Sequence, residues 1–118
     1  MHIRQLTSEL RNCISNCLEC HAACLETAAN CLTMGGEHAA VDHQTLLQDC
    51  AEICQTSANF MLRVSPHHEE TCGVCAKLCL ACAKGCEDMA GRDDLMRRCA
   101  QICRKCAQSC ERMAAMAA

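Results

Sequence analysis

The sequence predicts an all-α fold, an up-down-up-down antiparallel four-helix bundle whose core is lined with cysteine. Three observations lead there. Cysteine recurs in alternating steps of three and four at Cys13, Cys17, Cys20 and Cys24, at Cys72, Cys75, Cys79, Cys82 and Cys86, and at Cys99, Cys103, Cys106 and Cys110, with a shorter version at Cys50 and Cys54. Such steps return to one side of an α-helix, so each set forms a stripe of thiols. Helix-stop and helix-start signals then cut the chain into four stretches of similar length, and the alternation of a half-buried strand occurs nowhere. Short connections between four such helices give the bundle. At 118 residues the whole chain, 1–118, reads as a single domain with room for a core.

The first helix runs from about Ile3 to Thr33. Its inward stripe is Ile3, Leu6, Leu10, Cys13, Cys17, Cys20, Cys24, Thr27 and Cys31, a seam in which cysteine holds positions usually given to leucine. Gly35-Gly36 stops it. The second helix spans about Asp42 to Arg63, with His43, Leu47, Cys50, Cys54, Ser57 and Met61 inward. Ser65-Pro66 reads as an N-cap followed by proline at the first helical position, and Glu69 and Glu70 suit a helix start. The third helix therefore covers about Pro66 to Ala90, with His68, the five cysteines and Met89 inward, and Gly91 ends it. Asp93 and Asp94 open the fourth, which extends to about Met113 with Met96, four cysteines and Met113 in phase. A second apolar set flanks the stripes: Ile14, Leu18, Leu25 and Leu32, then Leu46, Ile53 and Phe60, then Val74 and Leu78, then Leu95 and Ile102. These residues are available either to seal the seams between helices or to form a subunit interface.

Composition narrows the function. The chain has 16 Cys, one Phe, one Pro and neither Trp nor Tyr, so large core side chains are scarce. Each leucine replaced by cysteine removes apolar volume, at a cost on the order of 2 kcal/mol or more if a cavity remains. So many exchanges along one axis imply that something else fills it. The net charge of −3, with both signs mixed, offers no basic face for nucleic acid. No run approaches transmembrane length. The N-terminus enters helical pattern directly, without a visible signal peptide, which predicts a cytoplasmic, reducing location. Thiols at helical spacing stand roughly 5–6 Å apart at Cβ, beyond disulfide range. In a reducing compartment such clusters point to metal or redox chemistry.

Soft thiolates select Cu(I), zinc or iron–sulfur clusters. A structural zinc site wants four ligands converging from a turn, whereas straight helices present thiols in pairs along a line. That suits an ion content with two or three sulfurs, and Cu(I) is such an ion. Each Cu⁺ replaces one thiol proton, so about one ion per cysteine leaves the core near neutral. An iron–sulfur electron carrier and a zinc or general heavy-metal sequestering protein remain the alternatives. The familiar cluster spacing, C-x2-C-x2-C-x3-C-P on a loop, is absent, and no βαβ pattern frames a C-x2-C for thioredoxin-like chemistry. Nor does the chain offer an acid–base pair, an activated nucleophile or a phosphate loop, so no enzyme is expected.

With antiparallel helices, Ile3, Leu6, Leu10, Phe60, Met61, Leu62, His68 and Met113 gather at one end and plug it. Met34, His38, His43, Met89 and Met96 gather at the other, beside Cys31 and Cys86, as thioether and imidazole donors at an entry port would. His21 falls off the stripe and is expected at the surface.

On the four cysteine arrays and the junction Met34-Gly35-Gly36-Glu37-His38, nearly the whole chain resembles the bacterial copper storage proteins, and specifically their cytosolic branch. The resemblance implies a homotetramer of four-helix bundles, each storing multiple Cu(I) ions on its own thiolates, with copper ions as cargo and a copper chaperone as the expected protein partner. Members have also been described as ferredoxin-like, a label the spacing opposes. Thr27, in phase where another thiol could sit, is a departure. Leu47 and Ser57 likewise leave the second helix poor in thiols, so the array is expected to be densest against the first, third and fourth helices.

Overall fold

The computed structural model describes residues 6–91 and 93–115. Ile3, assigned above to the first helix and the plug, lies outside them. Four helices, α1 (Ser8–Met34), α2 (Val41–Leu62), α3 (His68–Ala90) and α4 (Asp94–Ala115), form an antiparallel bundle with extents of 56 × 19 × 18 Å. α1 and α3 occupy one diagonal and α2 and α4 the other. Among the described residues there is no strand, and no helix is long and apolar enough to cross a membrane.

The helix ends follow local chemistry. Thr7 caps α1, its Oγ1 accepting from the Leu10 amide at 3.1 Å. Gly35, at φ +72°, closes that helix by donating to the Cys31 carbonyl. A single 3₁₀ turn, Gly36–Ala39, leads into α2. Asp93 caps α4, with Oδ1 accepting from the Leu95 and Met96 amides at 3.0 and 3.1 Å. The α2–α3 junction differs from the expectation. Ser65 Oγ accepts from the His67 amide at 3.1 Å, but this braces a turn through Pro66 and His67 and does not cap the helix: α3 begins at His68, with His67 at its N-cap and no side-chain cap bond. The chain must first leave α2 through a Schellman closure, in which Ser65 donates to the Phe60 carbonyl and Val64 to the Met61 carbonyl. Val64 takes the left-handed position usually given to glycine, at φ +49°. The helical path restarts only after that reversal.

Alanine does most of the sealing that larger side chains were expected to do. Ala23, Ala28, Ala51, Ala58, Ala76, Ala83, Ala100 and Ala107 are buried beside the thiol stripes. Of the flanking apolar set, Ile14 is buried and Leu46, Ile53 and Ile102 pack on the core, but Leu18, Leu25, Leu32 and Val74 face solvent. Small side chains in the seams let the helices approach closely. The same closeness half-buries His21, expected at the surface, whose Nδ1 lies 2.7 Å from the Ala51 carbonyl of α2. Two buried polar residues outside the stripes link α1 to α4: Asn16 Nδ2 donates to Ser109 Oγ at 3.1 Å, and Ser109 in turn donates to the Cys106 carbonyl. Leu62, expected in the plug, is half exposed, because it follows Met61 by one residue and turns outward as Met61 turns in.

Candidate metal centre

All sixteen cysteines are free and buried. Their sulfurs touch across the axis. Between α1 and α4, Cys13 meets Cys110 at 3.6 Å, Cys17 meets Cys110 and Cys106 at 3.5 and 3.7 Å, and Cys20 meets Cys103 at 3.6 Å. Between α2 and α3, Cys54 meets Cys75 and Cys79 at 3.7 and 3.6 Å, and Cys50 meets Cys79 at 3.7 Å. The diagonal is bridged as well, by Cys20 to Cys79 at 3.9 Å and Cys24 to Cys82 at 4.0 Å. The thiols of facing helices are therefore in contact and form one column along the axis.

Groups of four thiols, each with its sulfurs within 4.8 Å of one another, run along this column, and five of them form an overlapping series. The series begins with Cys17, Cys75, Cys106 and Cys110. Its next member, Cys54, Cys75, Cys79 and Cys106, keeps two of those residues. Cys20, Cys50, Cys54 and Cys79 follow, then Cys20, Cys24, Cys50 and Cys103, then Cys24, Cys82, Cys99 and Cys103. Each group shares two cysteines with the next. The first, third and fifth groups share no cysteine, so separate four-coordinate sites fit there, but they would leave the second and fourth groups, and the thiols outside the series, without metal of their own. Ions of low coordination number, bridged by shared thiolates, can occupy the series continuously.

The two ends differ. At one, Leu10, Met61 and Met113 are buried around Cys13 and Cys72, and Ser57 Oγ contacts Cys72 Sγ at 3.4 Å. At the other, His43 is buried with Nε2 at 3.3 Å from Cys31 Sγ. Met96 is wholly buried and Met89 half-buried. Met89 and His43 border a cleft of about 350 Å³ together with Leu46, Gly85 and Asp88. His38 is half-buried in the 3₁₀ turn. Met34 stands apart, half exposed, its Sδ accepting from Asn30 at 3.5 Å.

Burial and neighbouring charge act on the titratable groups near the mouth. Burial pushes the Cys31 thiol above its usual range, and the Asp93 carboxylate adds to the shift. Cys86 is pushed up by its contacts with Cys82 and Cys99 and by burial. His43 is held below the ordinary imidazole value by burial and by His38, so its ring is neutral at pH 7 and offers a lone pair. The buried alanines, the Asn16–Ser109 link and Asp93 were not foreseen as part of the site. Only Asp93 had a legible signal, its capping position beside the mouth.

Comparison with known proteins agrees with this chemistry. A family model described as copper storage protein matches residues 6–115. No curated protein matches the chain significantly. Among solved structures, the Nmul_A1745 protein of Nitrosospira multiformis is 50% identical, with a TM-score of 0.86 over 92% of this chain and 96% of its own. The Cu(I)-bound copper storage protein BsCsp3 is 32% identical, with a TM-score of 0.83 over 91% of this chain and 99% of its own. A cytosolic copper storage protein from Streptomyces lividans, described with five coppers, is 29% identical, with a TM-score of 0.78 over 91% and 92%.

Proposed function

The chain belongs to the copper storage protein family, and we propose that it is a cytosolic store and buffer, not a catalyst, holding many Cu(I) ions at once inside its own bundle. The ligands are the thiolates of the sixteen cysteines. Cys31 and His43 form the loading end, with His38 and Met89 beside them, Met34 outside and Met96 one layer further in, and residues 1–118 act as one storage unit. The observation that carries this reading is the series of four-thiol groups sharing two residues at each step. Each arriving Cu⁺ displaces one thiol proton, so the core stays near neutral as it fills. A metal–thiolate bond of about 2.3 Å, the zinc value, sets two thiolates on opposite sides of one ion roughly 4.6 Å apart. The sulfur contacts of 3.5 to 4.0 Å need open only slightly to admit it.

Anaerobic titration of the reduced protein with Cu(I) against a coloured chelator, read by native mass spectrometry, tests the proposal. Uptake of about one ion per cysteine, with helicity unchanged, is expected. Saturation after one or a few ions would sink it in favour of a discrete zinc or iron–sulfur site.

The resemblance also implies a homotetramer, and one exposed face suits self-association. Leu18, Ala22, Leu25, Ala29 and Leu32 repeat in steps of four and three on the outer side of α1, and all five are exposed. That is the spacing of a coiled-coil seam, here without a partner helix of its own bundle, and a second copy presents the same seam. The double variant L25D/L32D is expected to sediment as a lower oligomer while each chain keeps its copper capacity. An unchanged sedimentation coefficient would rule this face out as the interface.

A further inference from the structure

The thiol stripe of α1 is broken once on its way to the mouth, by Thr27 between Cys24 and Cys31. Sulfur contacts fix the register of the helices: Cys20 lies level with Cys50, Cys79 and Cys103, and Cys24 with Cys82 and Cys99. One inward step further, the stripes bring Thr27 from α1, Leu47 from α2, Cys86 from α3 and Met96 from α4 to one layer. A further step reaches Cys31 and His43, in contact at 3.3 Å. The intermediate layer is buried, with Thr27, Leu47 and Met96 fully inaccessible. Thr27 Oγ1 is buried without a hydrogen-bond partner among the described residues. A helical threonine ordinarily satisfies its hydroxyl on a carbonyl one turn back, and leaving it unsatisfied is destabilising. Packing alone would favour valine at this position.

We infer that this layer is an inner collar dividing the store in two: an outer exchange site of Cys31 with His43, and the main thiol column, with Thr27 keeping them apart. The inference rests on the storage reading above. Seven residues of α1 separate Cys31 from Cys24, a rise of about 10 Å, so no single ion bridges them. A thiol at position 27 would continue the column to the mouth. A hydroxyl and the Leu47 side chain supply no soft donor, which leaves Cys86 and Met96 as the layer's soft ligands. An ion held by Cys31 and His43 crosses on these two to reach Cys99 and Cys24. The receiving thiol gives up its proton as the ion arrives, and Cys31 regains one as the ion leaves, so the charge inside stays constant. Asp93 favours a cation at the outer site. Its Oδ2 is buried without a partner among the described residues, and its charge acts on Cys31. The outer ion exchanges with acceptors in solution while the collar retains the rest.

Release kinetics test this. The native protein is loaded with Cu(I) anaerobically, freed of excess metal, and mixed in a stopped-flow cell with excess chromophoric Cu(I) chelator. A burst of about one ion per chain is expected, at least about tenfold faster than the remainder, the scale on which a ligand's surroundings alter metal retention. T27V keeps the shape and the lack of sulfur, and should keep both phases. T27C joins the outer pair to the column and should merge the burst into the slow phase. H43A should lose the burst and retain the slow phase. A fully loaded native chain that releases in one phase, a T27C protein that keeps the burst, a T27V protein that loses it, or an H43A protein that keeps it would each overturn the collar. A native chain that saturates at a few ions would instead overturn the storage reading, and the collar with it.

Discussion

Copper loading is expected to raise the melting temperature of this protein by at least about 20 °C, because the empty core is poor in the side chains that stabilise ordinary bundles. The largest fully buried residues are Leu47, Met61, Met96 and Thr27, and cysteines follow directly. A core of cysteine and alanine buries little apolar area per residue, which places the empty bundle toward the low end of the usual range of about 5–15 kcal/mol. Ions held more tightly by the folded chain than by its unfolded thiols add to that. Each independent site that favours the folded over the unfolded chain a thousandfold contributes about 4 kcal/mol. Two such sites add about 8 kcal/mol, comparable with the whole stability of the empty protein. At roughly 4 °C for each kcal/mol in a chain near this size, the shift exceeds 20 °C well before the column is full. Differential scanning calorimetry of the empty, half-loaded and fully loaded protein checks this. Melting temperatures that coincide would mean that copper, if bound at all, sits outside the cooperative core.

The fold and the thiol column were legible because the step of three and four leaves one helical phase open, and in all four helices that phase points inward. Gly35, Gly91 and Asp93 are likewise local signals that act locally. What the sequence left open is radial. A stripe tells which way Cys20 faces but not how near Cys79 lies, and that distance depends on how closely the backbones approach. Alanines at 23, 51, 76 and 107 decide it, yet alanine is as common on a helix surface as in a seam, so nothing in their pattern announced the role. The same gap explains His21 and Asn16, whose partners Ala51 and Ser109 lie on other helices and become visible only once those helices have closed. Leu18, Leu25 and Leu32 are the converse case: hydrophobic residues whose periodicity was plain, but whose face the bundle leaves uncovered. At the α2–α3 junction, Ser65 and Pro66 carried a sound start signal, but the reversal through Val64 delayed the helix by two residues.

Cutting the column in its middle should cost far more capacity than cutting it at its closed end. Cys20, Cys50 and Cys103 belong together to one four-thiol group, and Cys20 and Cys50 belong also to the next. Serine keeps nearly the same shape and removes the soft donor, and Ser57 already occupies an equivalent inward position against Cys72. In C20S/C50S/C103S, ions entering beside Cys31 and His43 still find Cys24, Cys82, Cys86 and Cys99 but meet no continuous path beyond them. Uptake over a short loading time is therefore expected to fall to about one ion for each thiol on the mouth side of the break, Cys31 included. Refolding the same variant from denaturant with Cu(I) present should restore ions to the far thiols, because ligands then meet metal before the column closes. The control C13S/C17S/C110S removes three thiols next to the buried Leu10, Met61 and Met113, and should lose only about the ions those three would have held. Native mass spectra of both variants at matched loading times separate the outcomes. Equal losses in the two would mean that copper reaches the column from both ends or through its walls. A loss confined to the middle variant and reversed by refolding would fix the path of loading as running inward from Cys31 and His43.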